Sequence, residues 1–395
     1  MIRFIFYSNF LNPHQYPIGE ELFRFTGGRY RFIETEKMPD AFHRGGYPDY
    51  SGTPWLIRAW ESQKESDMAE RMALDADVMM FGGTYPYHII TRRLNQGKIT
   101  LQYSERWFKR GLINLLSPRL ISLQLHYHLL RYSKKPLYLL CASAFTASDM
   151  YAMHSFRDKA FRWGYFPKVA DKADDKESVF ESFRDISKIR LMYVARFLKW
   201  KHPEMPVIFA HQLKSQGIDF ELNIFGSGKL RPGIETLIND LNVADCVNLR
   251  GNVPNDEIHR QMRKHHILLF TSDRNEGWGA VANEAMANGC TVVGSDRIGS
   301  IPYLIRHQEN GLIFKDRDQA DFNCKVMSLV SDMAYCERLA RKAYETVTQE
   351  WSPSVAAKRL LTLTDSLIDG RPTPYSDGPC SIAPVSRHPL IDTLI

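Results

Sequence analysis

Ile267-Leu268-Leu269-Phe270-Thr271-Ser272, then Glu276-Gly277-Trp278-Gly279-Ala280-Val281-Ala282-Asn283-Glu284-Ala285-Met286-Ala287-Asn288-Gly289, then Thr291-Val292-Val293-Gly294 is the stretch on which the reading of this chain turns. Two short apolar runs rich in β-branched residues bracket a glycine-bearing loop and a helical segment. This is the pattern of a strand, loop, helix and second strand in a parallel sheet. The loop delivers Gly277, Trp278 and Gly279 to the start of the helix, at the carboxyl end of the first strand. Backbone N–H groups at that place make an anion site. Two carboxylates, Glu276 and Glu284, frame it; if the whole span were helical they would lie about 12 Å apart along the axis. Such a pair can hold hydroxyl groups at the two ends of a ligand whose phosphates lie over the amides. The alternative is an ordinary βαβ turn with two solvated acids.

The stretch resembles the Glu-x7-Glu motif of the retaining glycosyltransferases of family 4, which have the GT-B fold. The resemblance implies that Glu276 and the amides of Gly277, Trp278 and Gly279 hold a donor sugar, and that Glu284 holds the ribose. Trp278 stands where the family usually has Phe, which leaves the backbone role intact.

Further motifs follow in the family's order. Arg196 and Lys201 come just after the apolar run Ile189–Val194. A departing nucleoside diphosphate needs fixed cations, for which Arg offers a bidentate fork and Lys a point charge. Their spacing resembles the family's pair that grips the donor diphosphate, although His202 stands where the family usually has Gly after the Lys. Phe225-Gly226-Ser227-Gly228 ends the next strand. A lone Gly-x-Gly suits any tight βα turn; in the family a similar glycine turn, here at Gly226, lies beside the nucleotide. Asn252 and Val253 follow another strand, where backbone groups can read a base edge or simply make a turn. Ser295–Pro302 and Asn310–Phe314 complete the signature, with Pro302 opening a helix and Asn310-Gly311 turning the chain.

The remainder is consistent with two such units. A chain of 395 residues suits two domains. Strands are expected at 2–8, 30–34, 78–81, 99–103 and 136–141 in the first half, and at 189–194, 221–225, 246–249, 267–270, 291–293 and 311–314 in the second. Helices intervene. The expectation is an α/β protein of two doubly wound, Rossmann-like domains with a cleft between the carboxyl edges of their sheets. The domains are placed at 1–187 (acceptor side, rejoined by a C-terminal helix 353–368) and 188–352 (donor side), with a loose tail at 369–395.

In the first half, Asn9–Pro17 follows the first strand, and there His14 and Gln15 are candidates for touching substrate, or for belonging to a solvated turn. Many family members carry a His after the strand that matches 99–103. Here Glu105 falls there, where a carboxylate can support an oxocarbenium-like centre or orient an acceptor, pair with Arg106, or cap the next helix. Residues 105–135 hold Arg106, Lys109, Arg110, Arg119, Arg131, Lys134 and Lys135 against Glu105 alone, interleaved with Trp107, Phe108, Leu112, Ile113, Leu115 and Leu116. A basic amphipathic helix of this kind lies on an anionic membrane or packs on its own sheet.

Composition excludes several classes. No apolar run reaches the roughly 20 residues of a membrane span, and no cleavable leader is visible, so a cytoplasmic protein, peripheral at most on the membrane's inner face, is expected. Six cysteines without a CxxC pair read as reduced core thiols. A net charge of +6 admits an anionic substrate without arguing for nucleic acid. The histidines lack metal partners of the right spacing, so no metal and no cofactor beyond a nucleotide-sugar co-substrate are expected. By the resemblance, the chain transfers a hexosyl group from a nucleoside-diphosphate sugar to a hydroxyl of a glycan or lipid-linked glycan, in cell-surface polysaccharide or lipopolysaccharide assembly. A nucleotide-sugar epimerase of the same architecture and a non-catalytic bilobal sugar-binding protein are the alternatives. An NAD dehydrogenase is disfavoured by the missing Gly-x-Gly-x-x-Gly after the first strand.

Overall fold

The computed structural model describes residues 2–40, 47–111, 117–129, 132–168 and 176–385. The chain divides into unit 1, Met1–Lys168 with Glu350–Ile395, and unit 2, Val169–Gln349.

Unit 1 runs β1 (Phe4–Ser8), α1 (Tyr16–Phe25), β2 (Tyr30–Glu34), β3 (Leu56–Arg58), α2 (Gln63–Asp75), β4 (Val78–Gly82), α3 (Tyr87–Asn95), β5 (Ile99–Ser104), α4 (Pro118–Leu123), β6 (Leu137–Cys141), α5 (Thr146–Ala152) and β7 (Ala160–Arg162). Its strands pair in parallel in the order β3-β2-β1-β4-β5-β6-β7. β1 and β4 are buried at every position, as expected where helices cover both faces of a parallel sheet. At the head of α2, Ser62 accepts from the Glu65 N–H, half of a capping box. α2 ends on a buried cation. Arg93 is fully buried and donates to the carbonyls of Ala73 (2.6 Å), Ala76 (2.9 Å) and Ile99 (2.7 Å). Its charge meets the negative end of that helix rather than a carboxylate.

Unit 2 runs β8 (Ile189–Val194), α6 (Glu204–Ser215), β9 (Phe220–Phe225), α7 (Arg231–Asp240), β10 (Val247–Gly251), α8 (Asn255–Lys264), β11 (Ile267–Phe270), α9 (Val281–Ala287), β12 (Thr291–Ser295), α10 (Ile301–Leu304), β13 (Leu312–Phe314), α11 (Gln319–Val330) and α12 (Met333–Glu345). The parallel order β10-β9-β8-β11-β12-β13 is that of the doubly wound dinucleotide-binding fold. Its core gathers Leu191, Leu222, Ile224, Leu269, Val293 and Phe314 from the strands with Phe209, Phe322 and Leu339 from the helices. The chain then returns to unit 1 as α13 (Pro353–Ile368), opened by Ser352, which accepts from the Val355 N–H, and by Pro353 in the first turn. α13 buries Ala356, Leu360 and Leu363 and packs on α1.

Three expectations are corrected. Residues 105–135 do not form one amphipathic helix. Trp107–Arg110 is a 3-10 turn with Trp107 and Phe108 buried, and α4 passes into a π-helical stretch, Gln124–Leu129. Leu112, Ile113, Leu115, Leu116 and Arg131 fall outside the described residues. The tail is not loose over 369–385: Cys380 and Ser381 are fully buried, and Ile382 bridges to Phe161 beside the edge strand β7. β3 and β7, three residues each, were not expected at all.

Candidate active site

In unit 2, β8 and β11 are neighbours, and the chain leaves them toward opposite edges of the sheet. A crevice therefore opens at their carboxyl ends, which is where doubly wound sheets hold ligands. Two loops line it. One follows β8 and contains Arg196 and the 3-10 turn Lys199–Lys201. The other follows β11 and runs from Thr271 to Ala280. The strands themselves hold the first loop. The Tyr193 hydroxyl donates to the Lys201 carbonyl (3.1 Å), and Thr271 Oγ1 lies 2.8 Å from the same oxygen. The Asp273 N–H donates to the Trp200 carbonyl at 2.9 Å, joining loop to loop.

This scaffold brings Lys201 Nζ onto Glu276 Oε2, although the residues are 75 positions apart. Both side chains are nearly buried, 12% and 13% exposed, and the ammonium also lies 4.4 Å from the Trp200 ring centre. Arg196 is exposed, and among the described residues its guanidinium has no hydrogen bond or ion pair. Beyond Glu276, the N–H groups of Gly277 and Gly279 likewise meet no protein acceptor among the described residues. Gly279 has φ +87°, and a Cβ there would sit 2.5 Å from the Phe270 ring, so only glycine keeps this backbone in place. Trp278 turns inward: its indole is 1% exposed and its Nε1–H donates to Asn283 Oδ1 at 2.8 Å. Its carbonyl accepts from the Ser300 N–H at 3.1 Å.

Glu284 lies in the first turn of α9. It is half-buried, and its carboxylate has neither a hydrogen bond nor an ion pair among the described residues. Burial pushes its carboxyl up from the ordinary value to about 7. A partly dehydrated carboxylate without a partner among the described residues, on the helix that follows this loop, makes Glu284 a candidate for holding a ligand.

The Gly-x-Gly turn belongs to the same end of the sheet. A Cβ on Gly226, at φ +121°, would lie 2.0 Å from the Ala195 carbonyl oxygen, and the Phe197 N–H donates to the Ser227 carbonyl at 2.9 Å. These glycines thus let two backbones pass in contact and set the path of the Arg196 loop. Asn252 is exposed and Val253 half-buried after β10. Behind them Arg250 donates to Asn223 (2.7 Å), which meets His265 (2.9 Å), so His265 is structural. His266 is too: its Nδ1 accepts from the Arg190 N–H, its Nε2–H donates to the Ser182 carbonyl, and burial brings its pKa down to about 4.

In unit 1 the candidates lie at the carboxyl edge of the sheet. Gln15 is 9% exposed and accepts from Asn12 Nδ2 (2.9 Å) within its own loop. His14 stacks on Tyr165 with ring centres 5.4 Å apart, and burial lowers its pKa to about 4. Tyr165 in turn donates to Glu105 Oε1 (2.6 Å), whose other oxygen accepts from Lys109 (2.9 Å). Glu105 therefore does not pair with Arg106, which meets the buried Asp149 at 3.3 Å. Asp149 also caps the 3-10 turn through the Phe108 N–H (2.8 Å).

Two residues of these arrays, Tyr165 and Asp273, escaped notice in the sequence, and His202 was noted there only as a departure from the family pattern. His202 carried a signal, a side chain in place of the usual glycine. It adopts φ +49°, ψ +54°, the left-handed conformation a glycine would take. Elsewhere, a groove of about 780 Å³ lined by Ile2, Asp77, Lys98, Tyr138 and Asp365 lies at the amino edge of the unit 1 sheet, opposite the loops that carry the candidate residues. Among the described residues, no His, Cys, Asp and Glu group of metal-binding size occurs, and no helix is long and apolar enough to cross a membrane.

The whole chain resembles solved GT-B structures. The crystal structure of Anabaena HepE in complex with UDP superposes with a TM-score of 0.69 over 92% of this chain and 100% of that one, at 12% identity. A glycosyltransferase from Rickettsia africae ESF-5 gives 0.68 over 93% and 99%, also at 12%. Likeness at such identity carries the fold alone, and the fold class is GT-B. Residues 174–346, most of unit 2, match the family model described as "Glycosyl transferases group 1". The amylovoran biosynthesis glycosyltransferase AmsK of Erwinia amylovora is 30% identical over 184 residues, 45% of either chain. The putative colanic acid biosynthesis glycosyltransferase WcaL of Escherichia coli K12 is 25% identical over 185 residues, again 45% of each. The matched stretch thus spans less than half the length of these curated relatives.

Proposed function

We propose that this protein is a retaining glycosyltransferase of family 4, moving a hexosyl group from a nucleoside-diphosphate sugar to a hydroxyl of a glycan or lipid-linked glycan in cell-surface polysaccharide assembly. The observation that carries this reading is Glu284: a half-buried carboxylate with no partner of its own, in the helix that follows the loop of the Lys201–Glu276 pair. A ribose would give it two hydroxyl donors. Arg196 and Lys201 take the charge of the departing diphosphate, without a metal ion in this proposal. Glu276 and the Gly277–Gly279 amides hold the donor sugar, and Asn252 and Val253 meet the base. When phosphate approaches, Lys201 exchanges part of its contact with Glu276 for the ligand, freeing that carboxylate for sugar hydroxyls.

On the acceptor side, Glu105, held by Tyr165 and Lys109, orients the incoming hydroxyl, with His14 and Gln15 forming the neighbouring wall. Front-face attack with retention follows the family's pattern. For a lipid-linked acceptor, unit 1 meets the inner membrane surface through α4 and the segment beyond. There Ile121 and Leu125 are 44% and 46% exposed, and Lys134 and Lys135 are exposed beside them. The relatives named for amylovoran and colanic acid synthesis favour a polysaccharide pathway.

The test is thermal stabilisation by UDP, GDP, ADP, dTDP, CMP and NAD, each alone, followed by product analysis with and without acceptor. A ligand at 100 times its Kd adds about 2.7 kcal/mol. Stabilisation by one nucleoside diphosphate, lost in Glu284→Ala and Arg196→Ala, is expected. Stabilisation by NAD alone, or conversion of the sugar nucleotide without acceptor, would sink the proposal.

A further inference from the structure

We infer that His202 is a positioning residue of the donor site: as an imidazolium it ties the loop of Lys201 to the loop of Glu276 and offsets carboxylates that would otherwise oppose a diphosphate. The inference rests on the donor-site reading above and extends it to a side chain that the family pattern leaves out.

The geometry is that of a bridge between two loops. His202 follows Lys201 directly and opens the way into α6. Its Nδ1–H donates to Glu204 Oε1 at 2.9 Å, in the first turn of α6. Its Nε2 lies 3.7 Å from Asp273 Oδ2, an ion-pair distance, on the loop after β11. Both the ring and Asp273 are 14% exposed. Asp273 in turn organises the loop it stands on. Its Oδ1 accepts from the Asn275 N–H at 2.8 Å, and its carbonyl accepts from the Glu276 N–H at 3.0 Å. Moving Asp273 therefore moves the backbone of Glu276.

The charges around the ring explain why a cation is needed. Glu204 faces it from the first turn of α6 and Asp273 from the loop after β11; Lys201, the residue before it, is paired with Glu276, and Arg274 follows Asp273 in the chain. Asp316, after β13, has its carboxyl raised chiefly by burial, with the like charge of Asp273 adding to it, and is itself paired with Arg317 at 3.1 Å. Without the imidazolium, Asp273 loses its cationic partner in the loop that a polyanion must meet. With it, that carboxylate is offset, and Arg196, together with the Lys201 shared with Glu276, is left to meet the phosphates. Asp273 first and Glu204 second keep the imidazole protonated, with its pKa raised to about 9. The bridge is thus intact through neutral pH and opens as pH passes about 9.

Its backbone makes the test clean. A glycine fits φ +49° without strain, so His202→Gly removes the charge and relaxes the turn together. A residue that merely fills this turn gives a variant of equal or greater stability and unchanged ligand affinity. The experiment compares wild type, His202→Gly and His202→Gln for binding of inorganic pyrophosphate and of UDP by calorimetry from pH 7 to 10, with circular dichroism to confirm folding. NMR of the imidazole follows its protonation in wild type and in Asp273→Asn.

The expected result is that both variants fold and bind pyrophosphate about tenfold more weakly at pH 7, the size of one charge-assisted contact. The wild-type affinity falls through about pH 9 with the imidazole titration, whereas the variants lack that limb. Asp273→Asn lowers the imidazole midpoint. Equal affinity and the same pH profile in His202→Gly overturn the role of His202 while leaving the donor site standing. Failure of wild type to bind either pyrophosphate or UDP overturns the donor-site reading, and this inference with it.

Discussion

Replacing Glu284 by Gln should make the free protein more stable and the liganded protein weaker, and pH should separate the two effects. The carboxyl titrates near 7 in the fold against an ordinary 4.5, because burial disfavours its charge and no partner compensates. Each pKa unit is worth about 1.36 kcal/mol, so ionised Glu284 costs the fold up to about 3 kcal/mol. The sign follows from proton counting. The folded state binds the proton more tightly than the unfolded one, so this group costs nothing below about pH 4.5; the cost grows between 4.5 and 7 and is complete above 7. Gln carries no charge at any pH and escapes that cost. At pH 8, Glu284→Gln should therefore be more stable by about 1–3 kcal/mol, which for a unit of this size raises Tm by roughly 2–12 °C. At pH 5 the gap should nearly close. The same substitution exchanges two charge-assisted hydrogen bonds to a ribose for weaker ones, which should lower nucleoside-diphosphate affinity by roughly 10–100-fold. Thermal melts of both proteins at pH 5 and pH 8, with and without UDP, measure both quantities. A variant less stable than wild type at pH 8, or a stability gap that ignores pH, would refute the reasoning.

Other perturbations are expected to separate as cleanly. Arg196→Ala removes an exposed side chain with no partner, so stability should change by less than about 0.5 kcal/mol while diphosphate affinity drops and loses part of its salt dependence. Gly279→Ala drives a methyl group to 2.5 Å from Phe270 at φ +87°; chemical denaturation should show a loss of about 1–3 kcal/mol, and a neutral result would contradict the described loop. Arg93→Leu leaves the carbonyls of Ala73, Ala76 and Ile99 without their donor. We expect urea denaturation to report a loss of about 3–5 kcal/mol, and less than 1 kcal/mol would mean that the arginine is not what closes that helix.

The parts that were legible share a physical cause. β8 and β11 were placed to the residue because a strand covered on both faces is a nearly unbroken apolar run between polar loops. β3 and β7 were not, because three residues at a sheet edge leave no period to detect. The helix expected over 105–135 failed for a different reason. The Phe108 N–H is held by Asp149, 41 residues away, and an apolar run with a distant anchor looks the same as an amphipathic one until the anchor is known. The candidate site residues of unit 2 were named from motif order, which carries no information about their contacts. Lys201 meeting Glu276, and Glu105 meeting Tyr165 across 60 positions, are products of the sheets' winding. The tail was misjudged since a segment of Pro, Ser and Gly without periodicity gives no sign that Cys380 has a place in a core.

The return of α13 to unit 1 has a consequence for biosynthesis. The strands and first helices of unit 1 are made before unit 2, yet its last helix, α13, lies beyond the whole of unit 2. At about 5–20 residues per second, the face of α1 that receives α13 waits roughly 10–35 s uncovered while unit 2 is made. Unit 2, continuous in the chain, completes its own core first. Unit 1 therefore closes only after unit 2 has been made, since its two segments flank it in the chain.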